Sequence, residues 1–237
     1  MERIRFSFAR KKPLAYISHL DIMRLFLRAL RRSALPVAYS QGYNPHPRLT
    51  LALPLPLGVT AAEELGEIVF AEVVGPEKFI NILSLQLPGA LELLHAVSAD
   101  PEQSALAAKV CAARYRVYFS RGSDVTGNEK LLEQALEYLM AKEEIILEKK
   151  SKKKKTININ VRPYIYEAVI IKKEDKPLEL RLLLKAGSSG GVSPFFVIEQ
   201  LTSVIGSALF NDHDWHVHRE KLYADHNGTL QPLSERM

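Results

Sequence analysis

The chain has 237 residues, 47% hydrophobic and 25% charged, which fits one large soluble domain or two moderate ones and excludes a disordered or fibrous protein. Its net charge is +5, and the lone Cys111 rules out an intrachain disulfide and any cysteine-held metal or iron–sulfur site. The longest apolar run, residues 49–62, is broken by Pro54 and Pro56 and is too short for a bilayer.

The N-terminus carries Arg3, Arg5, Arg10, Lys11 and Lys12 where a secretory signal needs an apolar stretch, so the expected location is the cytoplasm. Residues 2–8 alternate, with Ile4, Phe6 and Phe8 on one side and Arg3, Arg5 and Ser7 on the other. That pattern predicts a strand with one buried and one solvated face. Ser18 and Asp21 form a capping pair ahead of a helix over residues 18–32. Leu20, Met23, Leu27 and Leu30 are its predicted core stripe, while Arg24, Arg28 and Arg31 share a separate basic face.

Ala34-Leu35-Pro36 ends this helix and leads into Tyr39-Ser40-Gln41-Gly42-Tyr43-Asn44-Pro45-His46-Pro47-Arg48. Prolines restrict φ here and also restrict the residues before them, so the polar side chains are held without a large ordering cost on contact. Tyr39, Gln41, Tyr43, Asn44, His46 and Arg48 supply donors, acceptors, rings and a planar cation suited to a planar or anionic ligand. The same segment also reads as a well-made connection between a helix and a strand.

Strands follow at residues 49–53 and 66–74, a helix at 76–86 and a strand at 91–97. The second half resumes with a strand at 114–119 and a helix at 128–142. Strands at 145–148, 156–161, 164–172 and 178–184, a helix at 194–206 and a strand at 215–222 complete it. The first half reads βαββαβ, and the second is read as repeating that plan. The expected fold is α+β, with two ferredoxin-like units in tandem over residues 1–98 and 110–237, each an antiparallel sheet with helices on one face. Acidic residues gather at 63–72 and 129–148 and basic ones at 3–12, 24–32 and 149–155. That segregation points to an anionic partner, nucleic acid first.

Four clusters invite chemistry. Ser18, His19 and Asp21 fan apart at a helix start and do not converge as a triad does, but His19 beside arginines suits a general acid or base on an RNA phosphodiester, or is an ordinary half-exposed histidine. His213, His216 and His218 with Asp212 and Asp214 read either as metal ligands or as the polar face of an edge strand. The glycine-rich loop at residues 187–194 reads as a phosphate cradle or as a flexible strand–helix connection. The lysine run at residues 149–155, with Lys152, Lys153 and Lys154 at its centre, reads as a solvated hairpin tip or a grip on a phosphate backbone.

Ser18-His19-Leu20-Asp21 with Arg24, the run from Leu35 through Asn44-Pro45-His46-Pro47-Arg48, and Leu53-Pro54-Leu55-Pro56-Leu57-Gly58-Val59 together resemble the radical-SAM-linked protein family. This is a prokaryotic domain of unknown function. The resemblance continues more loosely through Arg162-Pro163, Ser193-Pro194 and His218-Arg219. It implies a partner, since the family is encoded beside, or fused to, a cobalamin-binding radical SAM protein. Genes for a ribonuclease of the E/G type and for ribosomal proteins are often close by. No catalytic residues come with it, and this chain lacks the Cys-x-x-x-Cys-x-x-Cys cluster of a radical SAM enzyme.

The leading expectation is a non-catalytic accessory protein that binds tRNA or rRNA and presents it to the radical SAM partner, without cofactor, metal or membrane. Arg3, Arg5, Arg24, Arg28, Arg31, Lys152, Lys153 and Lys154 are its phosphate contacts. Tyr39, Gln41, Tyr43, Asn44, His46 and Arg48 clamp a base or loop. The alternatives are a metal-independent endoribonuclease resembling CRISPR RNA-processing nucleases, with His19 or His46 catalytic, and a protein–protein scaffold whose loop docks on the radical SAM enzyme. The strip Leu51, Leu53, Leu55 and Leu57 reads as a contact with that partner or as an edge strand tucked into the core.

Overall fold

The computed structural model describes residues 1–120, 128–150, 156–172, 178–206 and 215–237. Over these residues the architecture is α+β, with a large, mostly antiparallel sheet and five α-helices. No helix among them is long and apolar enough to cross a membrane. The chain divides into two compact units, residues 1–111 with 219–237 and residues 112–218. The expected division at residues 98–110 therefore misassigned the C-terminal segment. Arg219 and Ser234 tie that segment to Glu64 and Glu63 of the first unit, a connection across more than 150 positions that no local pattern reveals.

In the first unit, β1 (Glu2–Arg10) and a 3-10 turn (Lys12–Leu14) precede α1 (His19–Ser33), β2 (Leu49–Leu51) and β3 (Thr60–Phe70). Next come α2 (Pro76–Ser84), β4 (Leu91–Ala99) and the short α3 (Leu106–Lys109). β1 lies between β4 and β3, and β2 pairs with β3, all antiparallel. The strand expected at residues 66–74 starts six residues earlier, at Thr60. The second unit contains most of β5 (Val110–Phe119), then α4 (Glu129–Ala141), β6 (Ile146–Lys150), β7 (Thr156–Asn160), β8 (Ile165–Ile171), β9 (Glu179–Lys185) and α5 (Pro194–Ile205). The strand β10 (Trp215–His226) passes from this unit back into the first, where it pairs with β11 (Thr229–Pro232). β9 is flanked by β5 and β8, whereas β6 and β7 pair only with each other. Among the described residues the second unit carries a separate two-stranded hairpin, β6–β7.

Helix α1 begins as its sequence dictates. Ser18 Oγ accepts from the Asp21 amide at 3.2 Å and donates to Asp21 Oδ2 at 2.6 Å, and Ala34 ends the helix in the left-handed region at φ 53°. Its buried face is Ile22, Phe26, Ala29 and Leu30. Leu20, expected in that stripe, is 65% exposed, and Met23 and Leu27 are only half-buried. Of the leucine strip, Leu51 and Leu55 are buried in the interior, as the edge-strand reading expects, while Leu53 is half-buried and Leu57 is exposed.

β1 departs most from expectation. Its apolar side enters an aromatic core in which Phe6 meets Phe8, Phe26 and Phe79 at centroid distances of 5.9, 5.6 and 5.4 Å. Its other side is buried too: Arg3 is 8% exposed and Arg5 is 0%. Arg5 donates to Gln103 Oε1 at 2.8 Å and to the Ser104 carbonyl at 2.9 Å, and lies 3.5 Å from Glu67, its cross-strand neighbour. Arg3 donates to the Gln103 carbonyl. The segment before α3 has closed over the face that alternation assigned to solvent. Arg3 and Arg5 are therefore withdrawn as phosphate contacts.

Gly66 stands opposite Phe6 across β1 and β3, and a Cβ there would meet Phe6 Cζ at 2.5 Å and Leu51 Cδ2 at 3.0 Å. Because the Phe6 ring is fully buried among other rings, it has nowhere to move. Gly66→Ala should destabilise the protein by about 1–3 kcal/mol, the usual cost of overpacking. Urea denaturation measures this, and an unchanged midpoint would show that the sheet relaxes instead.

Candidate nucleic-acid interface

The proline-bounded loop is a projection with a fixed base. The Ala38 amide donates to the Val69 carbonyl at 2.8 Å, the Arg48 amide to Ala38 at 2.9 Å and the Val69 amide to Arg48 at 3.0 Å, stapling both ends of the loop to β3. Higher up, the Ser40 amide donates to the His46 carbonyl at 2.8 Å and the His46 amide to Ser40 Oγ at 3.0 Å. Gly42, at φ 127°, makes the turn that a residue with a Cβ rarely adopts. Beyond this neck Gln41, Tyr43, Asn44 and His46 are exposed, and the Tyr43 ring is 100% so. A ring held out on a braced loop contributes nothing to the core and is placed to stack on a planar ligand.

Helix α1 has a groove on each side. One, of about 260 Å³, is lined by Leu27, Leu30, Arg31, Val37, Tyr39 and Pro47, which joins the base of the loop to the C-terminal end of the helix. The other, of about 440 Å³, is lined by Ile17, Asp21, Arg24, Leu25, Arg28 and Arg32. Their cations differ in what already holds them. Arg24 is paired with Asp21 at 2.9 Å, and Arg32 donates to the Gln86 carbonyl at 2.6 Å. Arg28 and Arg31 make no hydrogen bond or ion pair among the described residues, and both are exposed. The arrangement offers two unspent guanidiniums along one helix, with an aromatic loop at its end. Arg48 is also exposed, beside Met1 Sδ at 3.9 Å.

His19 is the first residue of α1 and is half-buried. Burial, then the Arg10 charge, holds its imidazole below the usual histidine range, opposed by Glu64. It therefore stays neutral at pH 7. The charges around it are occupied: Arg10 donates to the carbonyls of Leu14, Ala15 and Ile17, bracing the 3-10 turn and the helix start. Arg219 is fully buried and makes a two-pronged contact with Glu64, with Nε to Oε1 at 2.7 Å and a second bond from Nη2 to Oε2. It also donates to the carbonyls of Leu53 at 2.9 Å and Pro54 at 3.2 Å. His46, by contrast, sits on the loop beside the far end of α1. Helix α1 runs for fifteen residues, about 22 Å at 1.5 Å per residue, with His19 at its start.

In the second unit, His216 stacks on Tyr118 with centroids 4.9 Å apart and rings 21° from parallel, and His218 lies 6.4 Å from the same ring. No group of three ligand-type residues among the described residues is arranged to hold a metal. His213, Asp212, Asp214 and the lysine-run residues Lys152, Lys153 and Lys154 lie outside the described residues. In the glycine-rich loop the Gly190 amide donates to the Gly187 carbonyl and the Val192 amide to the Lys185 carbonyl, and the Phe195 amide beyond it donates to Ser193 Oγ.

Residues 3–194 match the bacterial family described as an uncharacterized conserved protein, DUF2344. The chain belongs to that family. No curated protein matches the sequence. Among solved structures, a chain in a crystal structure of a Cbf5-Nop10-Gar1 complex is similar at a TM-score of 0.39 and 10% identity. The alignment covers 93% of this chain and 48% of that one, so the present chain spans about half the length of that protein.

Two features of this DUF2344 chain escaped the sequence. Glu64 and Glu67 read as part of an acidic surface run, yet both are buried, at 4% and 7% exposure, as partners of Arg219 and Arg5. Arg114 and Arg116 alternate with apolar residues along β5, a spacing that does not name the neighbours that make that face distinctive. Cross-strand register supplies those neighbours, and sequence spacing does not.

Proposed function

We propose that the protein is a non-catalytic RNA-binding accessory factor, presenting a folded RNA such as tRNA or rRNA to a cobalamin-dependent radical SAM partner. The observation that carries the RNA half is the pairing of Arg28 and Arg31, exposed and uncommitted along α1, with a braced loop that holds Tyr43 wholly in solvent. Guanidiniums on a rigid helix take phosphates, and an exposed ring with Gln41, Asn44 and His46 beside it takes an unstacked base. The partner half rests on the resemblance of the residue 35–59 segment to the radical-SAM-linked family. We also read both halves as variants of the split βαβ unit, the second enlarged by the β6–β7 hairpin.

A catalytic reading finds less support. His19 is neutral, half-buried and hemmed by arginines already bound to carbonyls or to Glu64, and His46 has no oriented partner among the described residues. Incubation of the purified protein with radiolabelled tRNA in chelator should retain RNA on a filter and return it intact. Fragments ending in 2′,3′-cyclic phosphate that vanish with His19→Ala would replace the accessory reading with a nuclease. Failure to retain RNA even at low salt would remove RNA altogether.

A further inference from the structure

The sheet of the second unit has one face built unlike an interior. Along β5, Tyr115, Val117 and Phe119 are buried, while Arg114, Arg116 and Tyr118 between them are only half-buried. In β9, Leu180 and Leu182 are fully buried, and Arg181 between them is not. Register sets Arg116 directly opposite Arg181, and Tyr118 opposite Glu179. On β10, Val217 is buried, but His216 is exposed and His218 half-buried, and both lie against the Tyr118 ring. Alternation in three strands thus gathers guanidiniums and stacked rings on one side of one sheet.

One cation on this face stands apart from the others. Glu179 pairs with Arg116 at 3.4 Å, and Glu167 stands across from Leu183. Arg181 makes no hydrogen bond or ion pair among the described residues, and its Nε is buried without an acceptor. A half-buried guanidinium left in that state is costly unless an anion completes it. Beside it, the exposed imidazole of His216 sits on a half-buried tyrosine, so the stack opens toward solvent.

We infer that this face is a second binding site, separate from α1 and its loop, for a short single-stranded stretch of nucleic acid. A phosphate lies on Arg181, and a base continues the stack from His216. Single strands suit it because only unstacked bases offer a free π-face to a flat sheet, whereas a duplex presents phosphate and groove edges. Any sequence preference should be weak, since stacking reads the face of a base and not its edge.

The test is fluorescence anisotropy with a short fluorescein-labelled oligouridine and, in parallel, oligothymidine of equal length, across a salt series. Binding should weaken about fivefold or more in His216→Ala, the lower end of what one base stack contributes. Arg181→Ala should weaken it and lower the slope of log affinity against log salt by about 0.7, one single-strand phosphate contact. His216 is exposed, so its replacement leaves the fold intact, which circular dichroism checks. Equal binding of the two oligomers supports a platform blind to the sugar, and preference for oligouridine supports one that reads the 2′-hydroxyl. Absence of binding at low salt, or a loss in Arg181→Ala with none in His216→Ala, overturns the inference. So does a loss of oligouridine binding in Arg24→Glu/Arg28→Glu with none in the sheet variants, an outcome that would place the oligomer on α1 and leave the proposal for that helix standing.

Discussion

Arg219→Ala should lower the stability of the first unit by about 3–5 kcal/mol, the range for removing one partner of a buried ion pair. Arg219 is 0% exposed, and every group it touches depends on it. Glu64, 4% exposed, would keep a buried carboxylate with its two-pronged partner gone, and the carbonyls of Leu53 and Pro54 would lose their donors. Arg10 lies close enough to Glu64 for the two charges to interact, but its own donors are spent on Leu14, Ala15 and Ile17. It cannot swing over as a replacement. Urea denaturation read by circular dichroism gives the number. The double variant Arg219→Met/Glu64→Gln should recover part of the loss, because most of the penalty is the stranded charge and not the absent attraction. A single-variant loss below about 1 kcal/mol would mean that water reaches Glu64, contrary to its burial.

Reversing two charges on α1 is the prediction with the largest effect on binding. Arg24→Glu/Arg28→Glu should weaken the affinity for folded RNA by about fivefold or more near 0.1 M salt, since Arg28 is an uncommitted phosphate contact and each such contact contributes roughly fivefold through counterion release. Repulsion between the new carboxylates and phosphate adds to that loss. The salt slope should fall at the same time, whereas Tyr43→Ala should leave the slope alone and narrow the difference in affinity between RNAs. Folding should survive, because Arg24 and Arg28 are exposed and the Arg24–Asp21 pair at the surface contributes little. Unchanged RNA affinity in this double variant would falsify the assignment of α1 as the phosphate-binding helix.

Local chemistry was legible. Ser18 and Asp21 announced the start of α1, Pro76 and Pro194 opened two further helices, and the prolines around His46 announced a braced loop. These signals act over three or four residues, through backbone sterics and capping bonds, so no distant contact can reverse them. The candidate loop and the basic helix face could be found the same way, since exposure and proline content do not depend on a partner strand.

What the sequence could not decide was which charges are spent. Arg3 and Arg5 alternate with apolar residues as a solvated face would, yet Gln103, Ser104 and Glu67 close over them. Arg28 and Arg5 look alike as letters, but only one has its donors free. That difference is set by which segment packs above each guanidinium, across 62 residues for Glu67 and nearly 100 for Gln103. The same holds for Arg219, whose carboxylate partner lies 155 positions away, and for the rings of Tyr118 and His216, which meet only because β5 and β10 come together in one sheet. Propensity and capping are short-ranged, so the sequence alone determined most of the helices and strands, but not the start of β3 at Thr60, the short α3 or β11. Pairing of charges across a sheet depends on register and chain closure, so only the tertiary structure decided which cations remain available to a ligand.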